Sequence, residues 1–244
     1  MGKRFFDNSA IAERIHISRN NTLDVIPEYK FGAVPSMSQS TTGSVWDVND
    51  TPYPWSALSS PVTPTVDRAN VGDAGKTVEI YGLDSNFNLQ SEEITLTNAT
   101  GNSAANLYSR IFRVKMTGGS AINIGDIDVK AAATTIARIT AGLGQTLMSV
   151  YTIPAEYTGF LVKMHVSAEA GADATFHVFV DEGGVGSFNI KHTGELSGNS
   201  SSLYEWEFPL RIPAKSDIDV EITTRTNNGR YSCGFEMLLY RNTS

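Results

Sequence analysis

Tyr231-Ser232-Cys233-Gly234-Phe235-Glu236-Met237-Leu238-Leu239 places Tyr231, Cys233, Phe235, Met237 and Leu239 on one face of an extended strand. Successive side chains on a strand point to opposite faces, so this alternation predicts a half-buried strand and not a helix. Just upstream, Asn227-Asn228-Gly229 predicts a type I′ hairpin turn, because Asn and Gly tolerate positive φ. Ile218, Val220 and Ile222 alternate before that turn, and Tyr204, Trp206, Phe208 and Leu210 do so against Glu205 and Glu207. Phe176, Val178 and Val180 form another such set, as do Phe160, Val162, Met164 and Val166, with Lys163 and His165 opposite. Short alternating strands separated by turn signals predict an all-β chain, with a jelly-roll-like antiparallel β-sandwich over residues 149–244.

Residues 66–148 predict a second β domain. Val78 and Ile80 face one way and Glu79 and Tyr81 the other, and Leu83 to Asn88 is rich in turn residues. Ile94 and Leu96 mark the returning strand, and Phe112, Val114 and Met116 share a face before Gly118-Gly119 ends it. Ile122 and Ile124 have one parity and Ile127 and Val129 the other, which calls for a bulge or corner at Gly125. The pattern leaves Ala131 to Ile139 open between helix and strand.

The first 65 residues read as an extended N-terminal arm or strap. Ser9 to Ile17 fits a helical turn or two, with Ser9 as N-cap, and the chain then becomes rich in Pro, Ser, Thr and Asn. Such a segment buries too little of itself to fold alone, yet it carries Trp46, Tyr53 and Trp55. Those three aromatics are the candidate subunit-interface residues, either as an arm docking on a neighbour or as a strap over their own domain.

Hydrophobic residues make up 41% of the 244, enough for a core, and charged residues 18%, low for a free cytosolic enzyme. The net charge of −7 lacks a concentrated Lys/Arg stripe, so nucleic acid is not an expected partner; Lys3 with Arg4 and Arg110, Arg113 with Lys115 are short clusters. Arg113 and Lys115 share a strand parity and read as a solvated face. The single Cys233 lies in an apolar alternating run, which predicts a buried thiol and folding in a reducing compartment. No apolar run is long enough to span a bilayer and no signal-peptide h-region opens the chain, so no membrane partner is expected.

The residues that could carry chemistry do not converge in sequence. His16, His165, His177 and His192 lack the short spacing of a metal site, although His165 and His177 would form a pair if their strands were neighbours. No G-x-S-x-G occurs, and Glu92-Glu93 and Asp181-Glu182 would point to opposite strand faces. Gly183-Gly184-Val185-Gly186 lies between β patterns and reads as a hairpin tip, not a phosphate loop. Asp126 and Asp128 near Gly125 miss the EF-hand calcium template. No catalytic residue, cofactor or metal is expected.

Several phrases taken together resemble a family of tailed-bacteriophage virion structural proteins common in marine and cyanobacterial phages. They are Lys30-Phe31-Gly32, Ser44-Val45-Trp46-Asp47, Tyr53-Pro54-Trp55, Val78-Glu79-Ile80-Tyr81-Gly82-Leu83-Asp84-Ser85-Asn86-Phe87-Asn88 and Ser91-Glu92-Glu93-Ile94-Thr95-Leu96. Asn123-Ile124-Gly125-Asp126-Ile127 and Gly144-Gln145-Thr146-Leu147-Met148-Ser149-Val150-Tyr151-Thr152-Ile153-Pro154 complete them, so the resemblance runs from about residue 30 to the C-terminus. It implies membership of a virion assembled in the bacterial cytoplasm. The implied partners are copies of the chain and other virion proteins, such as the major capsid or neck and tail proteins. A head decoration or cement role is the favoured expectation. A neck, tail or fibre-attachment role and a carbohydrate-binding β-sandwich are the alternatives.

Overall fold

The computed structural model describes residues 24–118 and 122–242. The expected helical turn at Ser9 to Ile17, the Lys3-Arg4 pair and His16 lie outside the described residues. The described chain opens with strands β1 (Val25–Met37) and β2 (Thr42–Ser44), then a short 3₁₀ turn at Trp55–Leu58. The next seven strands are β3 (Thr65–Arg68), β4 (Thr77–Leu83), β5 (Leu89–Thr95), β6 (Asn102–Ser103), β7 (Arg110–Gly118), β8 (Ile127–Ala131) and β9 (Thr134–Ile139). The last seven are β10 (Val150–Thr152), β11 (Tyr157–Ala168), β12 (Ala174–Asp181), β13 (Phe188–Leu196), β14 (Ser201–Ile212), β15 (Asp217–Thr224) and β16 (Gly229–Arg241).

Two antiparallel sheets form a sandwich. One has the order β1-β16-β11-β14; the other runs β10-β15-β12-β13, with β2 also on β15. In chain order, the strands cross from sheet to sheet at every step except the β12–β13 hairpin, as two interlocked Greek keys do, which defines an eight-strand jelly roll. At the edge of the second sheet, β2 and β10 are two halves of one strand, bound to successive stretches of β15 at Thr223–Glu221 and Asp219–Asp217. Strands β3 to β9 are inserted between those halves and form two further small sheets, β6-β3-β8-β9 and β5-β4-β7.

Val25–Met37 was not expected as a strand, and residues 25–44 in fact supply strands to both sheets of the sandwich. β1 is an edge strand, where Pro27 and Pro35 are tolerated because a free edge does not require every N–H. Gly32 lets it approach the strap: a Cβ there would collide with the Val45 carbonyl and with Ser149.

The sandwich core contains Leu161, Met164, Val166, Phe176, Val178, Val180, Ile218, Val220, Ile222 and the whole set Tyr231, Cys233, Phe235, Met237 and Leu239. A second core beneath the insertion contains Val78, Ile80, Ile94, Leu96, Ile111, Val114, Ile127, Val129 and Ile136, together with Trp46 and Tyr53. Ala131 to Ile139 resolves as the end of β8, a turn with Ala132 at φ 52°, and β9. Ile122 and Ile124 are exposed and outside any strand, whereas Ile127 and Val129 are buried in β8, so the parity change falls at a corner containing Gly125.

Three parities differ from the sequence reading, each through local geometry. The β11–β14 ladder jumps from Leu161↔Leu210 to Lys163↔Glu205, a bulge that leaves Val162 facing the four residues Trp206–Pro209. Below the bulge Leu161 is buried in place of Phe160, which packs edge-on against Tyr240 at 5.4 Å; above it Met164 and Val166 are buried as expected. The same bulge leaves Tyr204, Trp206 and Leu210 half-buried against the core and turns Phe208 out at 83% exposure. Replacing Phe208 with alanine is therefore expected to change stability by less than about 0.5 kcal/mol in urea melts, as an exposed site does. On β7 the register shifts between Tyr81 and Gly82, so Phe112 leaves the face of Val114 and packs in the sandwich core on Tyr151, 4.7 Å between rings.

Asn227-Asn228-Gly229 does not close a hairpin. β15 and β16 lie in different sheets, so this turn carries the chain across the sandwich. Only Asn228 takes a positive φ (56°) within it, whereas a type I′ turn requires two such residues.

Candidate functional site

The outer face of β15 carries Asp217, Asp219 and Glu221, alternating with the apolar residues that face the sandwich core. On most half-exposed strands such residues would meet water. Here the strap and the insertion cover them, and Asp217 and Asp219 are 1% and 2% exposed.

Asp217 is met by Arg110 at the start of β7. The guanidinium Nε and Nη2 donate to Oδ1 and Oδ2 at 2.8 and 2.7 Å, a bidentate pair, and Thr152 Oγ1 donates to Oδ1 at 2.6 Å. Arg110 Nη1 donates to the Leu58 and Ser109 carbonyls, which ties the strap to the pair. The Trp55 and Phe87 rings flank the guanidinium at 5.6 and 5.4 Å. Burial works against the charge of Arg110, but the Asp217 carboxylate outweighs it and holds the guanidinium above its ordinary pKa.

Asp219 fastens the strap itself. Its Oδ2 accepts from Ser44 Oγ at 2.8 Å and from the Trp55 indole at 2.9 Å, and Ser44 Oγ in turn accepts from the Tyr53 backbone N–H. Among the described residues its Oδ1 has no hydrogen-bond partner. Burial dominates and pushes the Asp219 carboxyl up to about 7, the Trp55 and Ser44 bonds opposing and the neighbouring Glu221 and Asp217 charges reinforcing.

The three aromatics singled out from the sequence stand in one row. Trp46 meets Tyr53 edge-on at 5.2 Å, Tyr53 meets Trp55 at 4.7 Å, and Trp55 meets Phe188 of β13 at 5.6 Å. Trp46 and Tyr53 are 1% and 3% exposed within their own chain, and Trp55 is half-buried. Buried indole and phenol polar groups need partners, and they have them: Trp46 Nε1 donates to Thr51 O, Tyr53 Oη to Ile111 O.

Beside Trp55 a cleft of about 600 Å³ opens between the sandwich and the insertion. Its floor is the Arg110–Asp217 pair; its walls are Trp55 to Pro61 of the strap, Ser85 and Phe87 of the β4–β5 turn, and Gly183 to Phe188 of the β12–β13 loop. That loop is the hairpin tip expected from the sequence. The buried Asp181 closes it by accepting the Val185, Gly186 and Ser187 amides, and Gly183, Gly184 and Gly186 supply φ of 80°, 66° and 85°.

The remaining candidates are dispersed. His165 and His177 belong to different sheets and cannot pair as neighbours. His192 is wedged against Tyr204 at 4.1 Å and Trp206 at 5.5 Å, closing the β13–β14 side of the sandwich. Asp128 is bound bidentately by Arg138, and Asp126 accepts the Ala141 amide. Glu92 accepts the Ala105 and Asn106 amides. Arg113 is not simply a solvated charge, since it joins Glu28 at 2.9 Å and the Tyr29 carbonyl at 2.6 Å. Cys233 is buried, and burial pushes its thiol up to about 12. Among the described residues no group of three or more His, Cys, Asp or Glu is arranged to hold a metal ion, and no helix is long and apolar enough to cross a membrane.

No protein-family model matches the chain, and no curated protein matches it. Among solved structures, it is similar to the naturally occurring empty particles of Cowpea mosaic virus, at 5% identity and TM-score 0.23 over 76% of this chain and 84% of that one. It is similar to infectious bursal disease virus, Gx strain, at 12% identity and TM-score 0.22 over 90% and 77%. The stem and receptor binding domain of spike protein P1 from bacteriophage PM2 aligns at 8% identity and TM-score 0.21 over 88% and 97%. With every TM-score below 0.5, these likenesses carry no argument of their own.

Proposed function

We propose that this chain is a non-enzymatic structural protein of a tailed-bacteriophage virion, placed on the head surface as a decoration or cement protein. The observation that carries the proposal is the jelly roll with a β domain inserted between the two halves of one strand, in a chain whose phrases from about residue 30 resemble that family. Jelly rolls recur in viral capsids but also in lectins and cupins, so fold analogy alone does not decide; the resemblance selects among them.

The surface supports contact with other subunits. At one end of the insertion Val71, Ile122, Ile124 and Leu143 are 79%, 56%, 55% and 45% exposed, with Ile124 beside Gly72 and Ile122 beside Gly144. Clustered exposed apolar residues mark interaction surfaces where scattered ones do not. In this proposal Trp46, Tyr53 and Trp55 serve assembly by fixing the strap that joins the insertion to the sandwich, and neighbouring copies and other virion proteins are the partners.

Immunogold labelling of purified particles with an antibody to this chain is expected to decorate the head. Label confined to one vertex or to the tail would move the role to neck, tail or fibre attachment. Particles without label, in which mass spectrometry also misses the chain, would overturn the virion assignment.

A further inference from the structure

We propose that the cleft beside Trp55 is a binding site for a neutral saccharide. The assignment goes beyond a structural role in the particle and stands on the chemistry of the cleft wall.

The size suits one or two sugar rings: about 600 Å³ lies within the range of small-molecule sites, which runs from roughly 300 to 1,000 Å³. The wall is of two kinds. Trp55, Phe87 and Phe188 provide aromatic carbon from three separate segments. Ser56, Ser59, Ser85 and Ser109 provide hydroxyl groups beside them, the first three on exposed residues. A wall that mixes aromatic carbon with hydroxyl donors and acceptors matches a sugar ring, which has apolar C–H faces and a polar rim.

The charges argue against an ion as occupant. The charged residues lining the cleft are Arg110, Asp181 and Asp217. Arg110 and Asp217 neutralise each other through the bidentate pair. Asp181 is saturated by the three amides of its own loop. Lys215, whose Nζ stands 5.6 Å from the Phe87 ring, is an exposed cation near that ring. Among the described residues no unpaired buried charge lines the cleft to select a phosphate, a carboxylate or a cation.

The cleft is also built in advance. The Asp181 bonds and the Arg110 anchor fix two of its walls without a ligand, so little ordering is left to oppose binding. The β12–β13 loop presents Gly183 and Gly186, where a Cβ would meet nothing within 4 Å. An affinity of roughly 0.1–1 mM, ordinary for a small shallow ligand, is expected to become useful through many copies on one particle.

The test is a glycan array carrying neutral and acidic mono- to tetrasaccharides, followed by titration of the best neutral hit against the full chain using tryptophan fluorescence. Two variants accompany it: Phe188→Ala, which removes an aromatic wall, and Ser85→Trp, which fills the cleft from an exposed turn residue. Thermal melts check that both fold. The expected result is binding of a neutral glycan that weakens at least tenfold in each folded variant. Failure of the array to detect any neutral glycan above background would overturn the proposal. So would binding that both folded variants retain, or a preference for acidic glycans. Should neither variant fold, protection of the tryptophan emission of a Trp206→Phe chain, in which Trp46 is buried and Trp55 is the accessible indole, from acrylamide quenching by the neutral hit supports the site, and no protection overturns it.

Discussion

Replacing Arg110 with alanine is expected to destabilise the chain by about 3–5 kcal/mol, because it strands a buried carboxylate. Asp217 is 1% exposed and would keep only the Thr152 hydroxyl, while the Leu58 and Ser109 carbonyls would each lose a donor. The loss is concentrated where three units meet: Leu58 belongs to the strap, Ser109 and Arg110 to the insertion, and Asp217 to the sandwich. At roughly 2–4 °C per kcal/mol for a chain of this size, the melting temperature should fall by roughly 6–20 °C. The double replacement Arg110→Met with Asp217→Leu removes both charges and should recover most of that loss, as buried pairs replaced by apolar residues often do. Calorimetric melts of the single and double variants check the account; a single variant that melts with the wild type would sink it.

The second large effect concerns pH. Asp219 is wholly enclosed, and its carboxyl is raised from an ordinary value of 3.8 to about 7. Between those values the folded chain keeps a proton that the unfolded chain has released. Stability contributed by this proton is therefore complete below about pH 4, declines as pH rises, and is gone above about pH 7. Each unit of difference corresponds to roughly 1.4 kcal/mol, so after relaxation an effect of about 1–3 kcal/mol is expected between pH 4 and pH 8. Asp219→Asn keeps the shape and an acceptor for Trp55 and Ser44 but cannot ionise. Urea melts should find this variant close to wild type at pH 4 and below, and about 1–3 kcal/mol more stable than wild type at pH 8.5, with the difference opening progressively between pH 4 and pH 7. Lys30 works with the opposite sign: burial, aided by the charge of Arg113, lowers its pKa, and its Nζ donates to the Phe112 carbonyl. Its contribution rises with pH in the alkaline range, so the comparison between wild type and variant, in which Lys30 cancels, isolates Asp219. Parallel pH profiles for the two proteins would remove Asp219 as the cause.

The alternation in β12, β15 and β16 was legible because each strand has one uninterrupted apolar face, and every apolar residue read there is buried. β1 was not legible, since Pro27 and Pro35 argue against a ladder strand unless its place at an edge is known. The bulge opposite Val162 was hidden for another reason: Phe160 and Phe208 fit the apolar alternation, and only the pairing of β11 with β14 shows the register jump. The site is a sharper case. Arg110 and Asp217 are far apart in sequence, and no local pattern joins them. Asp217, Asp219 and Glu221 alternate with Ile218, Val220 and Ile222, the pattern of any half-buried strand with a solvent side. A signal was present: the opposite face of that strand carries acids with no lysine or arginine among them, an arrangement that needs partners from elsewhere. Trp55 was singled out for its size, but its bond to Asp219 depends on the fold bringing the strap across β15.

The placement of β16 has a consequence for how the protein is made. β1 forms its ladder with β16, from Val25↔Tyr240 to Met37↔Gly229, with one further bridge from Phe31 to Met148, and β16 also forms the ladder to β11. During translation the first strand of the sandwich must therefore wait, with its ladder to β16 unmade, until nearly the whole described chain has left the ribosome. The insertion, whose strands pair among themselves, can mature in the interval. Closure through such distant pairs is slow compared with local folding. A nascent chain interrupted before β16 lacks the strand that joins β1 to β11, so that sheet stays open until synthesis is nearly finished.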